Sequence, residues 1–205
     1  MNLRRGLFHL LMLHQGEGRI VLFLSVIAAL TGFGLSIGRA SSDALFFTQY
    51  GAENLPQMFA LIALVLVPVS LAYAAFVDRL APHRMFVHLL VGFAATLGVA
   101  WLVMTVAGGT AGIALYFIAY GVVSELLLAH FGHYVISFFD AQQAKRLLPS
   151  VMAISRVGAI LGGVFLGVAG SAMATANSAL VWALCLAVAF GLVAWRHRGE
   201  PIHCP

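Results

Sequence analysis

Residues Ile20–Phe47 read IVLFLSVIAALTGFGLSIGRASSDALFF. The first nineteen of them, Ile20 to Gly38, contain no charged side chain. An uncharged apolar run of that length is what a helix needs to cross the hydrocarbon core of a bilayer. Then Arg39 and Asp43 appear four residues apart, with Ser41 and Ser42 between them. Four residues make about one helical turn, so the two charges share a face and can pair. The stretch therefore decides two things. The chain is a membrane protein, and its first span carries polar chemistry.

The rest of the chain agrees. Of its 205 residues 62% are hydrophobic and 9% charged, against about 25% charged in an ordinary soluble domain. The first span runs from Ile20 to about Phe46 and ends at the turn-like stretch 50–56. The second covers about Gln57–Val77 with Pro68 in its middle, and residues 78–84 form a loop. From Met85 to Ser124 there is no Asp, Glu, Lys or Arg. That is too long for one helix, and the glycine-rich stretch 108–112 divides it. The third and fourth spans are then about 85–106 and 113–137. A polar loop at 140–146 follows, and Pro149 suits the first turn of the next helix. The fifth and sixth spans are about 149–170 and 179–195. The fold class is an all-α membrane protein of six transmembrane helices.

Lys and Arg sort to one side. Arg4, Arg5 and Arg19 precede the first span, Arg79 and Arg84 follow the second, Lys145 and Arg146 follow the fourth, and Arg196 and Arg198 follow the sixth. The three opposite loops have none, so both termini are expected in the cytoplasm. Residues 1–18 read as an amphipathic cytoplasmic segment, 19–195 as the bundle and 196–205 as a cytoplasmic tail. The net charge of +4 belongs to these loops and does not imply nucleic-acid binding. Cys185 and Cys204 would lie roughly 25 Å apart along a helix, too far for a disulfide.

Four ionisable side chains of the Asp, Glu or Arg type fall inside spans: Arg39, Asp43, Glu125 and Arg156. A charge at mid-bilayer costs roughly 2.5–3.5 kcal/mol even on lenient scales, so such groups face a bundle interior or a wet cavity. Arg39, Asp43 and Glu125 are the candidates for a solute or ion path. Ser42, His133 and Arg156, the last about two turns into the fifth span, are candidate supporting residues. Each also has a structural reading, as an ion pair, a neutral hydrogen-bonded glutamate or a snorkelling arginine. Gly158 with Gly162, and Gly163 with Gly167, form small-xxx-small faces that let helices approach closely. His130 and His133 make an i, i+3 pair without a third ligand, so no metal and no cofactor are expected; the histidines alone would support a haem or pigment role. No nucleophile elbow, His-Glu-x-x-His or cysteine cluster occurs, and an enzyme is not expected.

The loop at Asp78, Arg79 and Arg84 resembles a degenerate loop motif of the major facilitator superfamily. Arg39 and Asp43, followed by Gly51, Ala52, Glu53 and Pro56, resemble the first span and turn of the ATP/ADP antiporter family and its bacterial relatives. Asp140, Gln143, Ala144, Lys145, Arg146, Pro149, Gly158, Gly162 and Gly163 are similar to the same relatives' link between the fourth and fifth spans. The antiporters hold a lysine directly before the aspartate, where this chain has Ser42. The resemblance implies a bundle whose first and fourth helices line a central cavity, which would put Arg39, Asp43 and Glu125 on one surface. It also implies twelve spans in two bundles, whereas this sequence supplies one.

The expected function is a half-transporter of the bacterial inner membrane that moves a charged, possibly nucleotide-like, organic solute, with a small anionic solute as candidate cargo. Its partners would be the lipid bilayer and a second six-helix bundle, from a homodimer or another membrane subunit. The alternative is a non-transporting accessory or assembly subunit of a membrane complex.

Overall fold

The structure of the chain, a computed structural model, describes residues 18–106, 110–170 and 174–199. Among the described residues six helices follow one another: α1 (Gly18–Tyr50), α2 (Leu55–Val77), α3 (Pro82–Val106), α4 (Thr110–Ile136), α5 (Ala141–Ala169) and α6 (Ser178–Gly199). Short 3-10 turns at Ala52–Asn54 and Thr175–Asn177 lead into α2 and α6. No strand occurs among the described residues. All six helical segments are long and apolar enough to cross a membrane. The protein is an all-α membrane protein of six helices. The expected amphipathic segment lies outside the described residues except for Gly18, as does the tail beyond Gly199.

The sequence expectation placed a loop at 140–146, but those residues form the first turns of α5. The cause is a reciprocal cap. The Asp140 carboxylate accepts from the backbone N–H of Gln142 and Gln143, at 3.0 and 2.8 Å, while the Asp140 N–H donates to the Gln143 side chain. This satisfies the donors that a helix start leaves open. Pro149 consequently sits inside α5, not in its first turn. Arg156 lies about four turns into the helix instead of two. Pro68 lies inside α2 as expected.

α1 is central and packs on α4, α5 and α6. α3 packs on α4 and α6. α2 has a single buried residue, Met58, and rests mainly on α4. The α1–α5 contact is the most extensive of all, and glycine makes it so. A Cβ on Gly32 would collide with the Ser155 carbonyl, and one on Gly158 with the Ala29 carbonyl. One on Gly162 would stand 2.6 Å from the Phe33 carbonyl oxygen. The two backbones thus touch with no side chains between them. Gly163 and Gly167 differ from expectation. Gly163 meets only the Ser36 hydroxyl at 4.0 Å, and Gly167 has open space beside it. They lie about 100° and 140° round the helix from Gly162, past the contact line.

Behind α1, Gly34 and Gly38 form a slot for the fully buried Trp182 of α6. Cβ atoms there would come within 2.5 and 2.6 Å of its ring. α2 and α5 stand on either side of α1 and α4, α2 resting on α4 and α5 on α1. A cleft opens between them.

Candidate functional site

The cleft has a volume of about 800 Å³ and is lined by four helices, α1, α2, α4 and α5. Along α1 it runs from Gly32 to Asp43, about 16 Å at the helical rise. Arg39, Asp43, Glu125 and Arg156 all line it. The four span-embedded charges picked from sequence therefore meet in one cavity, although they come from three helices.

Arg39 and Asp43 form an ion pair, Nε to Oδ2 at 2.7 Å. The Arg39 side chain is 61% exposed and that of Asp43 29%, so the pair faces the open cleft. The Arg39 guanidinium lies 5.9 Å from the centroid of the Tyr120 ring, within range of a cation–π attraction. Tyr120 meets Trp182 in turn, ring centroids 5.5 Å apart. One turn behind the cleft, the Tyr116 O–H donates to Ser41 Oγ at 2.9 Å, and Ser41 donates to the Ile37 carbonyl at 2.7 Å. This buried bond ties α1 to α4 beneath the charged surface.

Glu125 of α4 and Arg156 of α5 are both exposed. Among the described residues neither has a hydrogen bond or an ion pair, to each other or to any other group. Ser36, Ser124 and Ser155 line the same cavity. Its remaining walls are apolar, with Leu35, Ile62, Leu66, Leu128 and Met152.

One end of the cleft is closed by aromatic rings. Phe46 of α1 stacks near Phe117 of α4 at 4.4 Å and Tyr50 at 5.2 Å, and Phe59 of α2 approaches Phe117 at 6.3 Å. Phe46, Met58 and Phe117 form a small core of their own. The Tyr50 hydroxyl donates to the Thr110 carbonyl at 2.7 Å and fastens the end of α1 to the start of α4.

Several expected residues lie elsewhere. Ser42 does not line the cleft. It is 1% exposed, inside the bundle, and its hydroxyl has no partner among the described residues. The helical turn explains this: Ser42 is about 100° from Asp43, which carries it off the cleft-facing side. His133 is exposed and also outside the cleft, its ring 5.9 Å from that of His130. Asp78, Arg79 and Arg84 are exposed at the connection from α2 to α3, and no ion pair joins them.

The sequence reading missed what His130 does. It is fully buried. Its Nε2 lies 3.1 Å from the Pro82 carbonyl and its Nδ1 2.9 Å from the Tyr73 hydroxyl. A carbonyl only accepts, so Nε2 carries the proton and Nδ1 accepts from Tyr73. One imidazole thus joins α4, α2 and the start of α3, and both ring nitrogens are occupied. A lone histidine in the apolar stretch Leu126–Phe131 was the only signal, and its partners lie 57 and 48 residues away.

No family model matches the sequence, and neither a curated protein nor a solved structure matches it. The fold and site therefore define the class alone, a six-helix membrane protein with a charged, open cleft.

Proposed function

We propose that the chain is one half of a transporter of the major facilitator type, which works with a second six-helix bundle to move a charged organic solute. The observation that carries this reading is the convergence of Arg39, Asp43, Glu125 and Arg156 on one cleft of about 800 Å³. Charged side chains in a membrane bundle are costly against lipid and are retained where water, solute or protein meets them. The lining by α1 and α4, flanked by α2 and α5, agrees with the cavity helices that the resemblance implies. The second bundle would close the open side. Arg79, Arg84, Lys145, Arg146 and Arg196 gather where α2, α4 and α6 end and where α3 and α5 begin. That end is the cytoplasmic one in this reading, in a bacterial inner membrane.

Ser42 bears on the cargo. A lysine there would point into the bundle, not into the cleft. The cleft's cations are thus Arg39 and Arg156, and they are matched by two carboxylates. This favours a solute of low net charge over a nucleoside triphosphate.

The test is purification in mild detergent, identification of any bundle that co-purifies, and reconstitution of the complex in proteoliposomes. Uptake of labelled organic ions is expected, with loss in Arg39→Gln. A sealed, monodisperse preparation that takes up no solute from a panel of nucleotides, dicarboxylates and amino acids would favour the alternative, an accessory subunit.

A further inference from the structure

We infer that the cleft binds a zwitterion, a solute with one cationic and one anionic group on an apolar body. The inference rests on the transporter reading and names its substrate class.

The argument begins with charge. Arg39 Nε pairs with Asp43 Oδ2 at 2.7 Å, so these two charges offset one another. The cleft is left with one carboxylate, Glu125, and one guanidinium, Arg156, both exposed and both without a partner among the described residues. They stand on different helices, α4 and α5, which touch each other little. Two opposite charges that line one cavity without pairing offer two docking points of opposite sign. A monovalent anion would meet Arg156 and leave Glu125 unmatched, and a monovalent cation would do the reverse. A solute with an ammonium and a carboxylate or phosphate meets both, and the loaded cleft stays electrically neutral. Neutrality matters because a second bundle or lipid covers the cleft and removes water from whatever is inside.

The apolar part of the solute also has a place. Phe59, Phe117 and Tyr120 line the cavity, so an aromatic or aliphatic body buries its surface there. Ser124 and Ser155, directly before Glu125 and Arg156, line the cavity too, the Ser124 hydroxyl donating to the Gly121 carbonyl at 3.1 Å. An aromatic or large aliphatic amino acid has this combination of groups.

The experiment uses three matched probes: phenylalanine, hydrocinnamate (which lacks the ammonium) and phenethylamine (which lacks the carboxylate). Binding to the full chain in lipid nanodiscs and uptake into proteoliposomes are both measured. Phenylalanine is expected to bind at least about tenfold more tightly than either analogue, the scale of one charged hydrogen bond. In Glu125→Gln the advantage over hydrocinnamate should collapse while the advantage over phenethylamine persists. In Arg156→Gln the pattern should reverse. The wild-type ranking needs no variant to fold, and this crossed pattern is one that general loss of stability does not produce. Equal binding of phenylalanine and one analogue by the wild type overturns the inference. Binding of none of the three, with uptake of a dicarboxylate or nucleotide, overturns it while the transporter reading stands. Absence of binding and uptake for every solute tried overturns both.

Discussion

The guanidinium of Arg39 rests 5.9 Å from the centroid of the Tyr120 ring, and that ring lies 5.5 Å from the ring of the buried Trp182. A cleft-facing charge is thereby seated on the protein's core. Its position is set by α4 and α6 as well as by its own helix.

The Arg39–Asp43 pair is expected to be coupled. Arg39→Ala alone should destabilise the protein more than Arg39→Ala together with Asp43→Ala, because the single change leaves a carboxylate unpaired. The pair faces an open cleft, so a double-mutant cycle in thermal unfolding should give a coupling of roughly 0.5–1 kcal/mol. Strictly additive effects would show that the two side chains act independently.

The α1–α5 crossing should be intolerant of a methyl group at Gly32 or Gly158. Either change to Ala drives a Cβ into a carbonyl, and overpacking of this kind costs about 1–3 kcal/mol. Gly167→Ala meets nothing and should be neutral or stabilising by up to about 1 kcal/mol, from helix propensity. Melting temperatures of the three variants in one detergent decide the matter. Equal values for Gly158→Ala and Gly167→Ala would contradict the close approach.

Tyr73→Phe removes the donor that His130 Nδ1 accepts. The expected loss is about 0.5–1.5 kcal/mol. Hydrogen exchange should rise in the last turns of α2, which has little else to hold it, and not in α6. Uniform exchange across both helices would mean that the bond does not anchor α2.

Glu125→Gln should preserve any complex with a second bundle and abolish any proton coupling, since the amide keeps the side chain's size and polarity but has no ionisable proton. Glu125→Leu should alter the complex if the cleft side is the contact. Native mass spectrometry of both variants reads this directly. A wild-type chain that is monomeric at all concentrations, with Glu125→Leu indifferent, would exclude a partner on that side.

Orientation is testable with single cysteines in a background where Cys185 and Cys204 are serine. Cysteines at the exposed positions Ala52 and Thr175 should react with an impermeant reagent from outside the cell, and one at Ala141 should not. External labelling at 141 would reverse the assignment of sides.

Six spans and the residues of the cleft were legible in the sequence for the same reason. Against an apolar background a charge has few acceptable places, so Arg39, Asp43, Glu125 and Arg156 identified themselves. Helix starts were less legible. Asp140–Arg146 reads as a loop because polarity at a membrane surface does not distinguish loop from helix, although Asp140 and Gln143 have the spacing of a capping box. Facing was legible only where a small-residue pattern spoke. Gly158 and Gly162 meet α1, but the equally regular Gly163 and Gly167 do not, since the pattern states that an approach is allowed, not that a partner is there. Tyr73, His130 and Pro82 were beyond reach, because nothing local predicts a meeting of three distant segments.

Where α1 and α5 cross, backbone meets backbone at Gly32, Gly158 and Gly162. Side chains at an interface absorb small displacements by changing rotamer, and a joint made of main chain has no such slack. The crossing therefore holds α1 and α5 at one fixed separation. Arg39 sits about 10 Å along α1 from Gly32, and Arg156 is two residues from Gly158. A crossing with no slack, placed between them, fixes the spacing of the cleft's two cations through main chain alone.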